Sequence, residues 1–390
     1  MLALLGVVAA QRGHLDEADA LLGAALRHDP DHAEAHNNLG NLRQMQERFD
    51  EALACHRRAT ELRPEHATAQ FNLAVAFAAV GRLDEAATSY LRCLELRPDL
   101  AAAHHNLGLV RQRQGQLDDA VASLTRAIEL APGDAAAHEN LGVAFRSQRR
   151  FHDAAASFQR AVDLDPSRRR LEHLIDAYTG RTTDAAPDHY VADLFDHLAA
   201  DFDDYLVKVL GYRTPALLKG MLREVIDPDD RFRRVLDLGC GTGLMGVELA
   251  PSADELCGVD LSPKMLDRAR ARGIYHRLDA AGIDAFLDAV DGTFDLVVAA
   301  DVFVYIGDLV RTFAGVRRRA EDGALFLFST EIATAGDFVL NPTGRYGHAK
   351  SYVERVATET GFTVVRCTSG PLRMENEEVV VGDCWLLQAD

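Results

Sequence analysis

RVLDLGCGTGLMG, residues 234 to 246, is the stretch whose reading decides the fold. Val235, Leu236 and Leu238 form an apolar run with Asp237 near its end, as in a buried strand. Gly239, Gly241 and Gly243 follow at alternate positions, and a helical pattern begins behind them. Glycines so spaced let the main chain turn tightly and let a ligand lie on bare backbone beside a helix N-terminus, at the mouth of a doubly wound α/β sheet. The stretch marks a site for a nucleoside-bearing cofactor.

Which nucleoside is a separate matter. Gly241, Gly243 and Gly246 also spell G-x-G-x-x-G, and Asp260 lies nineteen residues beyond Gly241, the spacing of a dinucleotide site. A P-loop is excluded because no G-K-[ST] follows. The acid-tipped strand followed by G-x-G-x-G, matched by Asp237, Gly239, Gly241 and Gly243, resembles the first motif of class I S-adenosylmethionine-dependent methyltransferases. The resemblance implies S-adenosylmethionine as cofactor and S-adenosylhomocysteine as product, with Asp237, Gly239, Cys240, Gly241 and Gly243 as its loop. Asp260, ending a second strand (255–260), is then the ribose acid, since a carboxylate offers two acceptor oxygens in a fork. Leu261 and Met265 fall near the adenine on the same analogy. Relatives usually place an acid after the third strand, expected here at 275–281, to accept from the adenine amino group; this chain has Gly282 there. Either Asp279 or Asp284 replaces it, or backbone groups at Ala281, Gly282 and Ile283 read the base.

The fourth strand, in FDLVVAADVFVYIGDL (294–309), puts Ala300, Asp301 and Tyr305 at the carboxyl end of the sheet. They are candidates for the methionine end of the cofactor or for the methyl acceptor, with Asp301 as a helix cap in the alternative. The fifth strand (324–331) ends at Glu331. Arg345, Tyr346 and His348 resemble a stretch of bacterial methyltransferases bearing tetratricopeptide repeats. Methyl transfer from a sulfonium is an in-line displacement that depends chiefly on alignment. For removal of an acceptor proton His348 leads, because imidazole titrates near neutrality, followed by Glu331 and Asp301. Arg345 and Arg373 offer forks for a substrate carboxylate, or make surface ion pairs.

The first half of the chain is periodic. Prolines stand at 30, 64, 98, 132 and 166, one every 34 residues, and Leu5, Leu39, Leu73, Leu107 and Leu141 are each followed by Gly or Ala. This resembles five tetratricopeptide repeats, an α-solenoid of helix pairs with a concave groove. Asn38, Asn72, Asn106 and Asn140 recur at one register, resembling the asparagine ladder of protein O-GlcNAc transferase repeats and implying a groove that holds a polypeptide by its backbone; helix-to-helix packing is the plainer role. The six cysteines and the array histidines match no disulfide or metal spacing.

Between these parts, 169–230 is expected to hold a capping helix (167–178), a linker (179–187) and lid helices. Phe195, Phe202 and Tyr205 recur there at helical spacing and are candidates for closing over cofactor and substrate. A formal charge of −18, from 42 basic and 60 acidic residues, argues against a nucleic-acid partner. No apolar run suits a bilayer, and a cytoplasmic location fits the cysteine usage. The expectation is an α-solenoid (1–168) followed by an α/β Rossmann-like class I methyltransferase domain (231–390), acting on a protein or peptide recruited by the repeats. A small-molecule methyltransferase and a non-catalytic scaffold are the alternatives.

Overall fold

The computed structural model describes residues 1–204, 206, 208, 210–227, 230–375 and 378–390. The chain forms two compact units, Met1–Leu171 and Glu172–Asp390.

The first unit is five helix pairs: α1 (Leu2–Gln11) with α2 (Leu15–His28), α3 (Ala33–Met45) with α4 (Phe49–Leu62), α5 (Ala67–Ala79) with α6 (Leu83–Leu96), α7 (Ala101–Arg113) with α8 (Leu117–Leu130), and α9 (Ala135–Ser147) with α10 (Phe151–Leu164). Each second helix ends two residues before its proline, because the residue preceding proline is driven out of the helical region; Asp29 has φ −137° and ψ 90°. Within four pairs a glycine of the first helix faces a large side chain of the second. A Cβ on Gly6, Gly40, Gly108 or Gly142 would lie 2.5–2.8 Å from Leu22, His56, Leu124 or Phe158. In the remaining pair buried Ala74 takes the glycine register and buried Tyr90 the large one. The backbones approach closely at these points, which the 34-residue pattern of small residues predicts.

The second unit opens with α11 (Glu172–Thr179), α12 (Asp188–Leu198), a short turn of helix α13 (Phe202–Asp204) and α14 (Thr214–Arg223). Two expectations fail here. The capping helix expected over 167–178 is a 3-10 turn, Pro166–Leu171, followed by α11 of the second unit, where buried His173 bonds through Nε2 to the Gly344 carbonyl at 2.9 Å. The expected linker is stitched down as well. The Asp184 carbonyl accepts from the N–H groups of Gly307 (2.7 Å) and Asp308 (2.8 Å), and the Ala186 N–H donates to the Tyr305 carbonyl at 2.9 Å. Its turn-forming residues serve an ordered strap.

A nine-stranded sheet follows: β1 (Phe232–Leu238), β2 (Ala253–Asp260), β3 (Arg277–Ala280), β4 (Phe294–Ala299), β5 (Ala320–Ile332), β6 (Phe338–Leu340), β7 (Tyr346–His348), β8 (Phe362–Glu375) and β9 (Glu378–Ala389). Strands β3-β2-β1-β4-β5 are parallel neighbours in that order, β9 pairs antiparallel with β5, and β8 with β9. The β6–β7 hairpin, which joins the far end of β5, was not expected from the sequence. Parallel neighbours require crossovers, supplied by α15 (Leu244–Leu249), α16 (Pro263–Ala271), α17 (Ile283–Ala289) and α18 (Val310–Arg319); α19 (Lys350–Glu359) precedes β8. Alternate strand residues feed two cores. Val235, Leu296, Val298 and Leu327 pack with α14 and α15, while Leu236, Val297, Phe326 and Phe328 pack on the opposite face with α17, α18 and α19. Trp385 is fully buried there, parallel to Phe328, with its Nε1 donating to Thr330 Oγ1 at 3.1 Å. The chain leaves β1 toward β2 on one side and reaches β4 on the other. This reversal leaves a crevice between the carboxyl ends of β1 and β4.

Candidate functional site

A cavity of about 580 Å³ occupies that crevice, within the range of small-molecule sites. Its floor is the β1–α15 loop, one wall the carboxyl ends of β2, β3 and β4, and its cover α12, α13 and the segment around Leu210 and Tyr212.

The loop fits a nucleoside-bearing ligand. Gly241 has φ +53°, a conformation open to glycine at little cost, and a Cβ there would meet nothing within 4 Å, so its bare main chain faces free space. Asp260 accepts from the Gly241 N–H at 2.9 Å through Oδ2 and from the Ser262 N–H at 2.8 Å through Oδ1. These bonds orient the carboxylate and leave each oxygen a further lone pair for a ribose hydroxyl. Burial pushes the Asp260 pKa up, against the pull of these backbone donors. Leu261, Ala281, Gly282 and Ile283 continue the wall as an apolar slot of the kind a purine enters. Asp237, Gly239, Cys240 and Ala300 also line the cavity.

Asp237 is buried, and burial pushes its pKa up to about 7. Its Oδ2 accepts from the Tyr275 hydroxyl at 2.6 Å, which opposes the shift. The Tyr275 ring fills the space that side chains at Gly243, Gly246 and Gly258 would take. No local pattern in the sequence announces this residue, because its three glycine partners come from two separate elements.

Two of the expected loop contacts do something else. Gly243 does not line the cavity; it caps α15 in the left-handed conformation, φ +88°. Met265 is fully buried beneath α16 and likewise stays off the cavity. Of the acids proposed for the base, Asp279 forms an ion pair with Arg277 and does not line the cavity. Asp284 lines it, with Oδ1 accepting from Thr312 Oγ1 at 2.8 Å and Oδ2 lying 3.4 Å from Arg311.

At the other end stand Asp301, Tyr305, Arg345, Arg373 and Glu375. Asp301 has φ +58°, uncommon outside glycine, and is held by Ser329, whose Oγ accepts from its N–H and donates to its Oδ1, both at 2.9 Å. That arrangement displaces the helix-cap alternative. Arg373 is buried and bonds Asp301 Oδ2 at 3.0 Å and Glu331; Arg345 pairs with Glu375. Both guanidiniums are thus engaged by carboxylates, and neither is a vacant fork for a substrate carboxylate.

Three assignments need correcting. His348 lies in β7, fully buried and off the cavity; its Nε2 contacts the carbonyls of Ile306 (2.9 Å) and Gly307 (3.0 Å), and burial lowers its pKa to about 4. It braces the turn after β4 rather than reaching an acceptor. Tyr346 is buried beside it in the hairpin, its hydroxyl 2.6 Å from Thr183 Oγ1. Glu331 sits behind Arg373, outside the cavity lining.

The cover joins two residues singled out by helical spacing, Phe195 and Phe202, to polar contacts that periodicity did not identify. Phe195 meets Phe202 and Tyr305 edge to face, at ring separations of 5.7 and 5.5 Å. Asp196 accepts from Ser262 Oγ, Asp203 accepts from Thr242 Oγ1 and from Arg272, and the Ala200 carbonyl accepts from Arg268 at 2.9 Å. The acids between the lid's apolar residues therefore latch it to the loops after β1 and β2. Tyr205 lies outside the described residues.

In the first unit the four asparagines are half-buried. Asn72 Nδ2 donates to Asn37 Oδ1 at 3.0 Å, Asn140 Nδ2 lies 2.8 Å from His105 Nε2, and Asn106 hydrogen-bonds Tyr90. Three of them thus join helix to helix, and each amide retains further hydrogen-bonding capacity. The six cysteines are free thiols, and no helix among the described residues is long and apolar enough to cross a membrane.

Fold and cavity together define a doubly wound domain built for a nucleoside-bearing cofactor, in a chain whose first unit is an array of helical hairpins. Comparison narrows the class: residues 235–323 match the family described as a methyltransferase domain, and residues 4–54, 31–99 and 105–169 match tetratricopeptide-repeat families. Human methyltransferase-like protein 27 is 39% identical over 106 residues, 27% of this chain and 43% of that protein. The malonyl-[acyl-carrier protein] O-methyltransferase of Geobacter sulfurreducens is 36% identical over 144 residues, 36% of this chain and 52% of that protein. The chain thus spans about half the length of the curated relatives it matches. Among solved structures, the N-methyltransferase NodS of Bradyrhizobium japonicum, in complex with S-adenosylhomocysteine, is 17% identical with a TM-score of 0.42, over 51% of this chain and 98% of that one. The chain joins a tetratricopeptide-repeat array to a methyltransferase domain of the S-adenosylmethionine-dependent class.

Proposed function

We propose that the chain transfers the methyl group of S-adenosylmethionine to a protein or peptide acceptor recruited by its repeats. The observation that carries the cofactor assignment is Asp260, oriented by two backbone donors in a lidded cavity at the β1–β4 crevice. The bound cofactor supplies an electrophilic methyl on a sulfonium centre. The residues supply alignment and exclusion of water, Phe195 and Phe202 from above and Tyr305 from the sheet edge. At the end of the cavity away from Asp260, Asp301 is bonded to Arg373 and Ser329 and Tyr305 to Arg345; of the two, the Asp301 carboxylate is the group that can take a proton from an oxygen or nitrogen acceptor, and the Tyr305 hydroxyl positions it. The repeated amides at 38, 72, 106 and 140 support a peptide-binding groove, since their spare donors and acceptors suit a peptide backbone.

A second reading, a small-molecule acceptor, is favoured by the bonds that Asn72 and Asn140 already make within the array. Calorimetric titration with S-adenosylhomocysteine and, separately, NAD tests the cofactor: we expect S-adenosylhomocysteine binding, lost in Asp260→Ala, and no NAD binding. Transfer of labelled methyl to a peptide library separates the two acceptors. Asn72→Ala with Asn106→Ala should raise KM for the favoured peptide and leave kcat unchanged; unchanged KM would leave the small-molecule reading.

A further inference from the structure

The apolar slot beyond Asp260 contains no side-chain hydrogen-bonding group on Leu261, Ala281, Gly282 or Ile283. A purine entering it must find partners for its Watson–Crick edge, and adenine presents an exocyclic amino group that requires an acceptor. Two carboxylates border this part of the cavity, Asp284 and Asp188. Asp284 is engaged by Thr312 and Arg311. The Asp188 carboxylate, in the first turn of α12, has no hydrogen bond or ion pair among the described residues. It stands over Gly282: a Cβ built there would lie 3.1 Å from Asp188 Oδ2.

We infer that Asp188, supplied by the lid, accepts the hydrogen bond of the adenine amino group, and that Gly282 lacks a side chain so that this carboxylate can enter the slot. The inference rests on the S-adenosylmethionine reading above. It makes nucleobase recognition a property of the cover. The strand wall contributes shape, and the lid contributes the polar contact that tells adenine from other bases. Base recognition and lid position are then coupled, because the same helix carries Asp188 at its start and Asp196 two turns on, where it grips Ser262.

The test is equilibrium binding, by calorimetry on the full chain, of S-adenosylhomocysteine and of S-inosylhomocysteine, in which a carbonyl oxygen replaces the amino group. Asp188 is exposed and without a side-chain partner, so Asp188→Asn and Asp188→Ala should fold. Wild type should prefer S-adenosylhomocysteine. Both variants should bind it roughly 10- to 100-fold more weakly, the range of a lost hydrogen bond to a charged group. Asp188→Asn, whose amide can donate to the carbonyl, should narrow or reverse the preference. Gly282→Ala, which crowds the carboxylate, should weaken S-adenosylhomocysteine without improving the inosine analogue, and Asp279→Asn should change neither. Wild-type affinity and preference retained in both Asp188 variants would overturn the inference and leave the cofactor reading standing. Failure of wild type to bind S-adenosylhomocysteine would overturn both.

Discussion

Each unit buries a histidine whose pKa burial lowers to about 4, and the contrast between these two separates two ways in which a chain specifies structure. His56, in the array, is fully buried with both ring nitrogens unpartnered, and burial lowers its pKa to about 4. Its register is occupied elsewhere by Leu22, Tyr90, Leu124 and Phe158, so what the position requires is bulk against a small residue of the preceding helix. His348, in the α/β unit, has the same depth and a pKa lowered to the same region, yet its Nε2 ties two carbonyls of the turn that carries Tyr305. That turn occurs once, so the setting of His348 has no register equivalents to compare it with. A repeat array thus exhibits its own tolerated substitutions, while the α/β unit holds each polar residue in one unrepeated setting.

The comparison can be broken most severely at Arg373. Replacement by Met leaves buried Glu331 and half-buried Asp301 without the cation they share, and the α/β unit should lose about 3–5 kcal/mol. Denaturant unfolding followed by tryptophan fluorescence reports this unit selectively, because Trp385 is the chain's one tryptophan; an unshifted midpoint would show the cluster to be dispensable.

His56→Leu sharpens the comparison in the opposite direction. The folded array keeps His56 neutral down to about pH 4, whereas the unfolded chain protonates it near its ordinary value of 6.5. Its contribution to stability is therefore present above pH 6.5 and lost as pH falls toward 4, on the order of 3 kcal/mol in all. The variant, carrying the residue of two other repeats, should shed that part of the acid sensitivity in a far-ultraviolet circular dichroism titration. An identical acid transition would show that the site hydrates.

The smallest effect is expected from Tyr275→Phe. Asp237 already titrates near 7 rather than 3.8, so the folded unit holds an extra proton between those values and loses stability as pH rises across them. Deleting the hydroxyl removes the donor that favours the ionised form, should cost about 1–2 kcal/mol, and should extend the loss above pH 7. Trp385 fluorescence in denaturant at about pH 6 and about pH 8 should show a larger deficit at the higher pH.

Legibility in the sequence follows the same division. The array could be read almost entirely, since five copies of each position separate requirement from accident. In the α/β unit the readable parts were the β1–α15 loop and Asp260, whose geometry is set by contacts within one β-α-β unit, from β1 to the start of α16. Parts assembled from distant segments were not. His348 looked like a base because imidazole titrates near neutrality, and only the packing of β6 and β7 buries it. Met265 follows Asp260 closely, yet helical phase turns it into the core. Asp196 and Asp203 were not singled out, because the partners that give them a role, Ser262, Thr242 and Arg272, lie more than thirty residues later in the chain. The turn-rich strap at 179–187 misled for the opposite reason: its composition suits a flexible connection, and its backbone bonds to the turn after β4 decide otherwise.

The constant interval between the prolines has a consequence for how such a chain can change. Each interface between pairs is made by equivalent registers, and a solenoid unit touches chiefly its neighbours. Excising one whole interval, for instance from just after Pro64 to Pro98, would join α4 to α7 across a contact of the type the array already uses. Whole intervals are therefore the natural currency of insertion and loss in this half of the gene, and the reach of the groove can be retuned in steps of one unit while every residue of the cofactor cavity stays as it is.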